Sequence, residues 1–477
     1  MYSTNTRTDA DLAHAPRLSN SILAVGHHID RRACRRSVAA EITIMAKPTR
    51  SELAGATFNL LNTILGGGGG IVPLPRCVRL AGLRLAPLML GACAVSSAVS
   101  ACAIIAAAGN VRESTYQGVA RRTIGPCGAI MVQSLIVSLT FGISVAVINI
   151  FADVAPSLLR LSRTATVVLA GCTVTPIVAL VRRIERLSVI SIGAAVLVAA
   201  FVCFVCVHHT SGLGDAALDP LPPPDATAVF SMAGMLEAVS VVNLSFLCHF
   251  NLLPLFRSLP GAPAPAVRRA MYGVIAVSTA LALVVYGTVG ILGALAFGAR
   301  TSGNVFADYA TRGGHVSRTL NNAIATAQLL SLPLLVHEGV RELVTLLRQA
   351  RGGAASAEQH TLLMRRSGRA NDVDGGSAQL LSLLGEENAV GDAHGERLCS
   401  VLWCAAATLI AIYVPDTSKV LALVAALCGA PLMSVLPLLM LLRSGHGMAA
   451  RSIVLTVALL MLGLAVSIAS AFNAVAG

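Results

Sequence analysis

The chain has 477 residues, 55% of them hydrophobic and 12% charged, with a formal net charge of +12. That composition, at a mean hydropathy of +0.75, excludes an ordinary soluble domain and fits an all-α, polytopic membrane protein. The positive balance does not point to nucleic acid, because the basic residues fall between apolar runs rather than on one aromatic-interleaved segment.

Residues 1–52 are polar, carry eight basic residues and contain no apolar run long enough for a secretory signal. They are expected to form a disordered tail in the cytosol, ahead of a membrane domain over 53–475. The first apolar span, Ala54–Pro75, holds five consecutive glycines, Gly66 to Gly70. Each costs a helix about 1 kcal/mol relative to alanine, so the helix is expected to unwind there. Broken backbone at mid-bilayer is tolerated only where it lines a cavity or holds a ligand, which makes this span a candidate binding site. Glycine-mediated helix packing is the competing explanation, but it calls for spaced glycines rather than a run.

Uncharged segments follow at Leu85–Val111, Ile124–Ala152, Thr164–Val181 and Leu187–Val207. A second set runs Ala226–Phe256, Ala270–Ala299, Thr319–Val336, Leu398–Val414, Val420–Leu442 and Ser452–Ala476, for about eleven spans in all. With a cytosolic N-terminus, 26 of the 35 Lys and Arg face the cytosol and 9 face away, as the positive-inside rule requires. Arg76, Arg79 and Arg84, just after the first span, depart from that rule. Residues 348–397 are rich in Gly, Ser, Arg, Asp and Glu and are expected to form a disordered cytosolic loop between the eighth and ninth spans. Most of the twelve cysteines lie in apolar spans, where a thiol behaves as a small hydrophobe. The run CFVCVHH, with Cys203, Cys206, His208 and His209, is too short and isolated to read as a metal site, and interfacial packing explains it better. No metal and no cofactor is expected. The chain lacks G-x-S-x-G and G-x-x-x-x-G-K-[ST], so neither covalent catalysis nor ATP-driven pumping is expected.

The sixth span holds Glu237, Asn243, His249, Asn251 and Pro254. Ionisable groups at depth cost at least about 2.5 kcal/mol on insertion scales and face a cavity or a partner, and a proline removes a backbone hydrogen bond and favours a break. Interrupted helices 1 and 6 occupy corresponding places if five spans are repeated as the next five. That pattern indicates an inverted-repeat secondary transporter with its site at the midplane.

FNLLNTILGGGGGIVPLP (Phe58–Pro75) resembles the opening motif of the amino acid/auxin permease family, within the amino acid-polyamine-organocation superfamily, with Asn62, Gly66, Gly68 and Pro73 in register. FLCHFNLLPLF (Phe246–Phe256) resembles the family's sixth-helix signature, and TYQGVARRTIGPCGAI, FGISVAVINIFADVAP and VPDTSKVLALVAALCGAPLMSVLPLL agree in order over roughly residues 54–475. The chain departs from the family in having Gly67, Gly69 and Gly70 where bulkier residues are usual, and Ser258 where an acidic residue stands. The resemblance implies a transporter, or a non-transporting amino acid sensor on the same fold, in the plasma membrane or the membrane of an acidic organelle.

The chemistry of amino acid binding follows from the breaks. A substrate carboxylate is expected on the free N–H groups of Gly66, Gly67 and Gly68, at the positive end of the second half-helix. The substrate ammonium is expected on unpaired carbonyls from Asn243 to Phe246. Asn62 either forms an interhelical hydrogen bond or coordinates sodium with Ser331, as matching positions do in the sodium-coupled members that the chain resembles. If protons are the coupling ion, His249 or Glu237 is the carrier. No basic residue is expected near Glu237, which leaves it protonated, hydrogen-bonded to a neighbouring helix, or partnered by a cationic amino acid.

Overall fold

The computed structural model describes residues 48–66, 70–180, 188–211, 231–312, 314–366 and 376–445. All regular structure among them is helical. The chain enters α1 (Arg50–Gly66) through a reciprocal cap in which the Glu52 carboxylate accepts from the Thr49 amide at 2.7 Å and the Thr49 hydroxyl accepts from the Glu52 amide at 3.3 Å. After the glycines, α2 (Leu74–Ala81) starts behind Pro73 and stops at Gly82, whose φ of +79° suits glycine. There follow α3 (Ala86–Val111), a short amphipathic α4 (Tyr116–Thr123), α5 (Pro126–Val154), α6 (Arg163–Leu180) and α7 (Ser188–Ser211). The second half comprises α8 (Met232–Ser245), α9 (His249–Ser258), α10 (Pro265–Phe297), a short α11 (Val305–Arg312), α12 (His315–Arg366) and α13 (Gly376–Tyr413). Last come α14 (Thr417–Val424), two π-helical turns, and α15 (Leu436–Arg443).

Eight of these stretches are long and apolar enough to cross a bilayer. With the shorter apolar α6 and the interrupted α1–α2 pair they account for the first ten expected spans, whereas the eleventh, Ser452–Ala476, lies outside the described residues. The packing fits a five-plus-five repeat: four of the first five spans lie against the one five places later, α5 on α12, α6 on α13, α3 on α10, and the two parts of the first as α2 on α8 and α1 on α9.

Two expectations about the backbone are corrected. The stretch 348–397 is not an irregular loop: α12 continues to Arg366 and α13 begins at Gly376, with 367–375 outside the described residues. It contains no proline, and runs such as SAEQHTLLMRR and SAQLLSLL are rich in good helix formers. The sixth span does break, but at Phe246–Cys248; Pro254 sits inside α9.

Away from the breaks, a polar knot ties the ends of α5, α6 and α13. The Arg163 guanidinium donates to Asp153 at 3.0 Å, to Asn149 at 2.9 Å and to the Pro415 carbonyl at 2.8 Å, while Asp153 also accepts from Thr417 at 3.1 Å and Asn304 at 3.3 Å. Arg163→Ala is expected to lower the unfolding temperature in detergent by several degrees. It removes the main counter-charge of a mostly enclosed carboxylate, worth roughly 1–3 kcal/mol once partial exposure is discounted. An unchanged melting curve would show that the knot contributes nothing.

Candidate functional site

The two breaks face each other. At the second, Phe246 N–H donates to the Asn243 carbonyl and Leu247 N–H to the Leu244 carbonyl, both at 3.0 Å, so the helix tightens before it stops. The next two carbonyls turn away from the helix axis and are taken by side chains of other spans. The Tyr286 hydroxyl lies 2.8 Å from the Ser245 carbonyl oxygen, and the Ser97 hydroxyl donates to that of Phe246 at 3.0 Å. At the first break, the Ser245 hydroxyl donates to the Gly70 carbonyl at 2.9 Å. The carbonyls of Gly70, Ser245 and Phe246 thus meet donors inside the protein, as membrane burial demands.

This corrects the expectation that the carbonyls from Asn243 to Phe246 are unpaired: each has a donor of this chain within hydrogen-bond distance, the Ser245 carbonyl sharing the Tyr286 hydroxyl with that of Ile64. A second correction concerns Glu237. Its carboxylate is paired with Arg76 of α2, which donates through Nη2 at 3.1 Å and Nε at 3.3 Å. Arg76 belongs to the basic triplet that departed from the positive-inside rule, and the expectation of a cationic substrate rested on a Glu237 without such a partner.

Below the breaks, on the α1/α9 half, lies a cavity of about 300 Å³, at the lower end of the roughly 300–1,000 Å³ typical of small-molecule sites. The last turn of α1 contributes Asn62, Thr63 and Gly66, and the first turn of α9 contributes Phe250 and Asn251. Ile143 and Val147 of α5 and Ala194, Ala195 and Val198 of α7 form an apolar wall, and Gln328, Ser331 and Glu338 descend along one face of α12. Asn62 and Ser331, far apart in sequence, therefore line one space together with Gly66. Glu338 is the single charged residue among the described lining, and Arg341 donates to it at 2.7 Å.

The other expected site residues lie elsewhere. Asn243 and Phe246 are buried in the second break, and Phe246 meets the Tyr286 ring edge-on at 5.0 Å between centroids. His249 is completely buried, with Nε2 2.7 Å from the Ser100 hydroxyl. Gly67 and Gly68 lie outside the described residues. His208 of the CFVCVHH run packs edge-on against Tyr309, with ring centroids 5.4 Å apart. Asn251 and Gln328 were not singled out as ligands from sequence, because one stands on a short half-helix and the other in an ordinary span.

Ten spans among the described residues, two facing interrupted helices and a cavity between their halves on one side define a multi-pass helical membrane protein of the five-plus-five repeat type. The chain belongs to the transmembrane amino acid transporter protein family, whose profile matches residues 49–476. It is similar to the amino acid transporter AVT6E of Arabidopsis thaliana, 24% identical over 317 residues that make up 62% of this chain and 63% of the relative. It is also similar to the sodium-coupled neutral amino acid transporter 7 of Danio rerio, 25% identical over 274 residues, 54% of this chain and 56% of the relative. The chain thus spans less than two thirds of the length of these relatives. Among solved structures, the Eremococcus coleocola manganese transporter in complex with an aromatic bis-isothiourea compound gives a TM-score of 0.47 at 11% identity, covering 90% of this chain and 97% of that one. MhsT in complex with L-phenylalanine gives 0.44 at 14%, covering 89% and 98%.

Proposed function

We propose that the chain moves amino acids across a membrane by alternating access, without a covalent step. The observation that carries this reading is the asymmetry of the two halves. A small-molecule cavity opens between α1 and α9, while α2 and α8 are drawn together by Arg76–Glu237 and the Val305 amide donates to the Val72 carbonyl at 3.1 Å. The family and the names of the two relatives support the substrate class. The cavity, with amides, a hydroxyl and aliphatic walls, suits a zwitterion with an uncharged side chain. Its polar lining is Asn62, Thr63, Gly66, Asn251, Gln328, Ser331 and the Arg341-paired Glu338.

The charge distribution supports a cytosolic N-terminus and cytosolic placement of residues 1–52 and 348–397, which makes the cavity side the cytosolic one. Tags at residues 10 and 477 are then expected on opposite faces of the membrane; finding both on one face rejects the eleven-span arrangement.

Counterflow in reconstituted vesicles tests the function: preloading with unlabelled amino acid should drive labelled amino acid inward, and no stimulation by any of the twenty refutes transport. Uptake in sodium and in choline across a pH series separates sodium coupling, proton coupling and facilitated movement. If sodium is used, Asn62→Ala and Ser331→Ala should each remove the sodium dependence.

A further inference from the structure

Tyr286, midway along α10, is fully buried, and its hydroxyl oxygen lies 2.8 Å from two carbonyl oxygens. One belongs to Ile64 in the last turn of α1 and the other to Ser245 at the end of α8, so a single side chain from a third span reaches both interrupted helices. The fit around it is close. A Cβ at Gly70 would stand 2.7 Å from the Tyr286 hydroxyl and 3.2 Å from Ser245 Cα, so the first break must present glycine here. Tyr286 does not line the cavity, yet Ile64 sits between cavity residues Asn62 and Gly66, and Ser245 shortly precedes cavity residues Phe250 and Asn251.

A phenol has one proton to donate, and here two buried acceptors compete for it. Each carbonyl leads into a different wall of the cavity. When α1 and α8 separate, the hydroxyl can stay with either one, leaving only one carbonyl to find another donor instead of two. The ring holds its place through the edge-on contact with Phe246.

We propose that Tyr286 is a positioning residue: its hydroxyl sets the gap between the two helix breaks, and with it the spacing of the α1 and α9 walls around the substrate. The proposal rests on reading the cavity as the substrate site.

Tyr286→Phe removes the hydroxyl and keeps the ring. In the purified full-length protein, hydrogen exchange is expected to accelerate about tenfold in peptides covering 58–66 and 240–248, the size of effect that one lost net hydrogen bond produces. Peptides from α5 and α13 should stay as in wild type. In vesicles, the half-saturation concentration for the best wild-type substrate among the twenty amino acids should rise about tenfold, with the maximal rate changing less. Unchanged exchange at both breaks overturns the proposal, and so does acceleration spread evenly over the chain, the mark of a general packing role. If wild type carries no amino acid, the reading of the cavity fails, while the exchange pattern still decides whether Tyr286 joins the breaks. Should Tyr286→Phe not fold, Gly70→Ala presses a methyl against the hydroxyl and must give the same paired acceleration; exchange confined to one break then overturns the proposal.

Discussion

Glu237→Gln is expected to raise access to the cavity from the α2/α8 face by roughly five- to thirtyfold, the shift that 1–2 kcal/mol represents. The Arg76–Glu237 pair joins α2 to α8 on the half opposite the cavity, and its side chains are 25% and 22% exposed. That degree of enclosure places it between a surface pair of little worth and a fully buried one. Glutamine preserves the shape and removes the charge. Arg76→Glu should go further, because it sets two carboxylates together beside Asp416, which lies within electrostatic reach of position 76. The double exchange, Arg76→Glu with Glu237→Arg, should return access towards wild type. The measurement places a cysteine at Thr63 and follows its modification, on the peptide that contains it, by a membrane-impermeant thiol reagent applied from each face in turn. If both single substitutions leave the rate from the α2/α8 face unchanged, the pair does not hold that face shut. Because Glu237 is spoken for by Arg76, Glu237→Gln should also leave the choice among uncharged amino acids intact.

Gly339→Leu should abolish the folded protein, whereas Gly273→Leu should be tolerated. At Gly339, on α12, a Cβ alone would stand 2.5 Å from the Thr140 hydroxyl of α5 and 2.6 Å from the Trp403 ring of α13, and neither can retreat through a packed interface. At Gly273, on α10, nothing lies within 4 Å of the added atom. Overpacking typically costs about 1–3 kcal/mol, and a leucine wedged between two other spans belongs at the upper end of that range or beyond. Size-exclusion profiles of the two variants in detergent decide the matter: a monodisperse peak for Gly339→Leu would show that α5, α12 and α13 can spread apart.

The first helix break was readable because five adjacent glycines are a local signal, and Asn62, Gly66 and Ser331, singled out by motif register, line one cavity. The second break was misplaced by proline-based reasoning. Pro254 loses one backbone hydrogen bond inside α9, but the rupture occurs at Phe246–Cys248, where hydroxyls from α3 and α10 take the carbonyls of Phe246 and Ser245. Those donors are far away in sequence and carry no local mark. Glu237 and Arg76 show the same limit from another side. Each was an anomaly alone, an acid too deep in a span and a base on the wrong side of the membrane; together they neutralise one another. Matching the two exceptions would have found the pair. The polar composition of 348–397 pointed to disorder, but without a proline its helix formers extend the neighbouring spans.

Trp403 is the sole tryptophan in the chain, and it is buried where α13 crosses α5. Its indole N–H donates to the Ser144 hydroxyl at 3.2 Å, and its ring meets Phe141 edge-on at a centroid distance of 5.2 Å. It does not line the cavity. Intrinsic tryptophan emission from this protein is therefore a one-site optical gauge of the α5–α13 frame. It should shift when the frame melts and stay constant while substrate comes and goes.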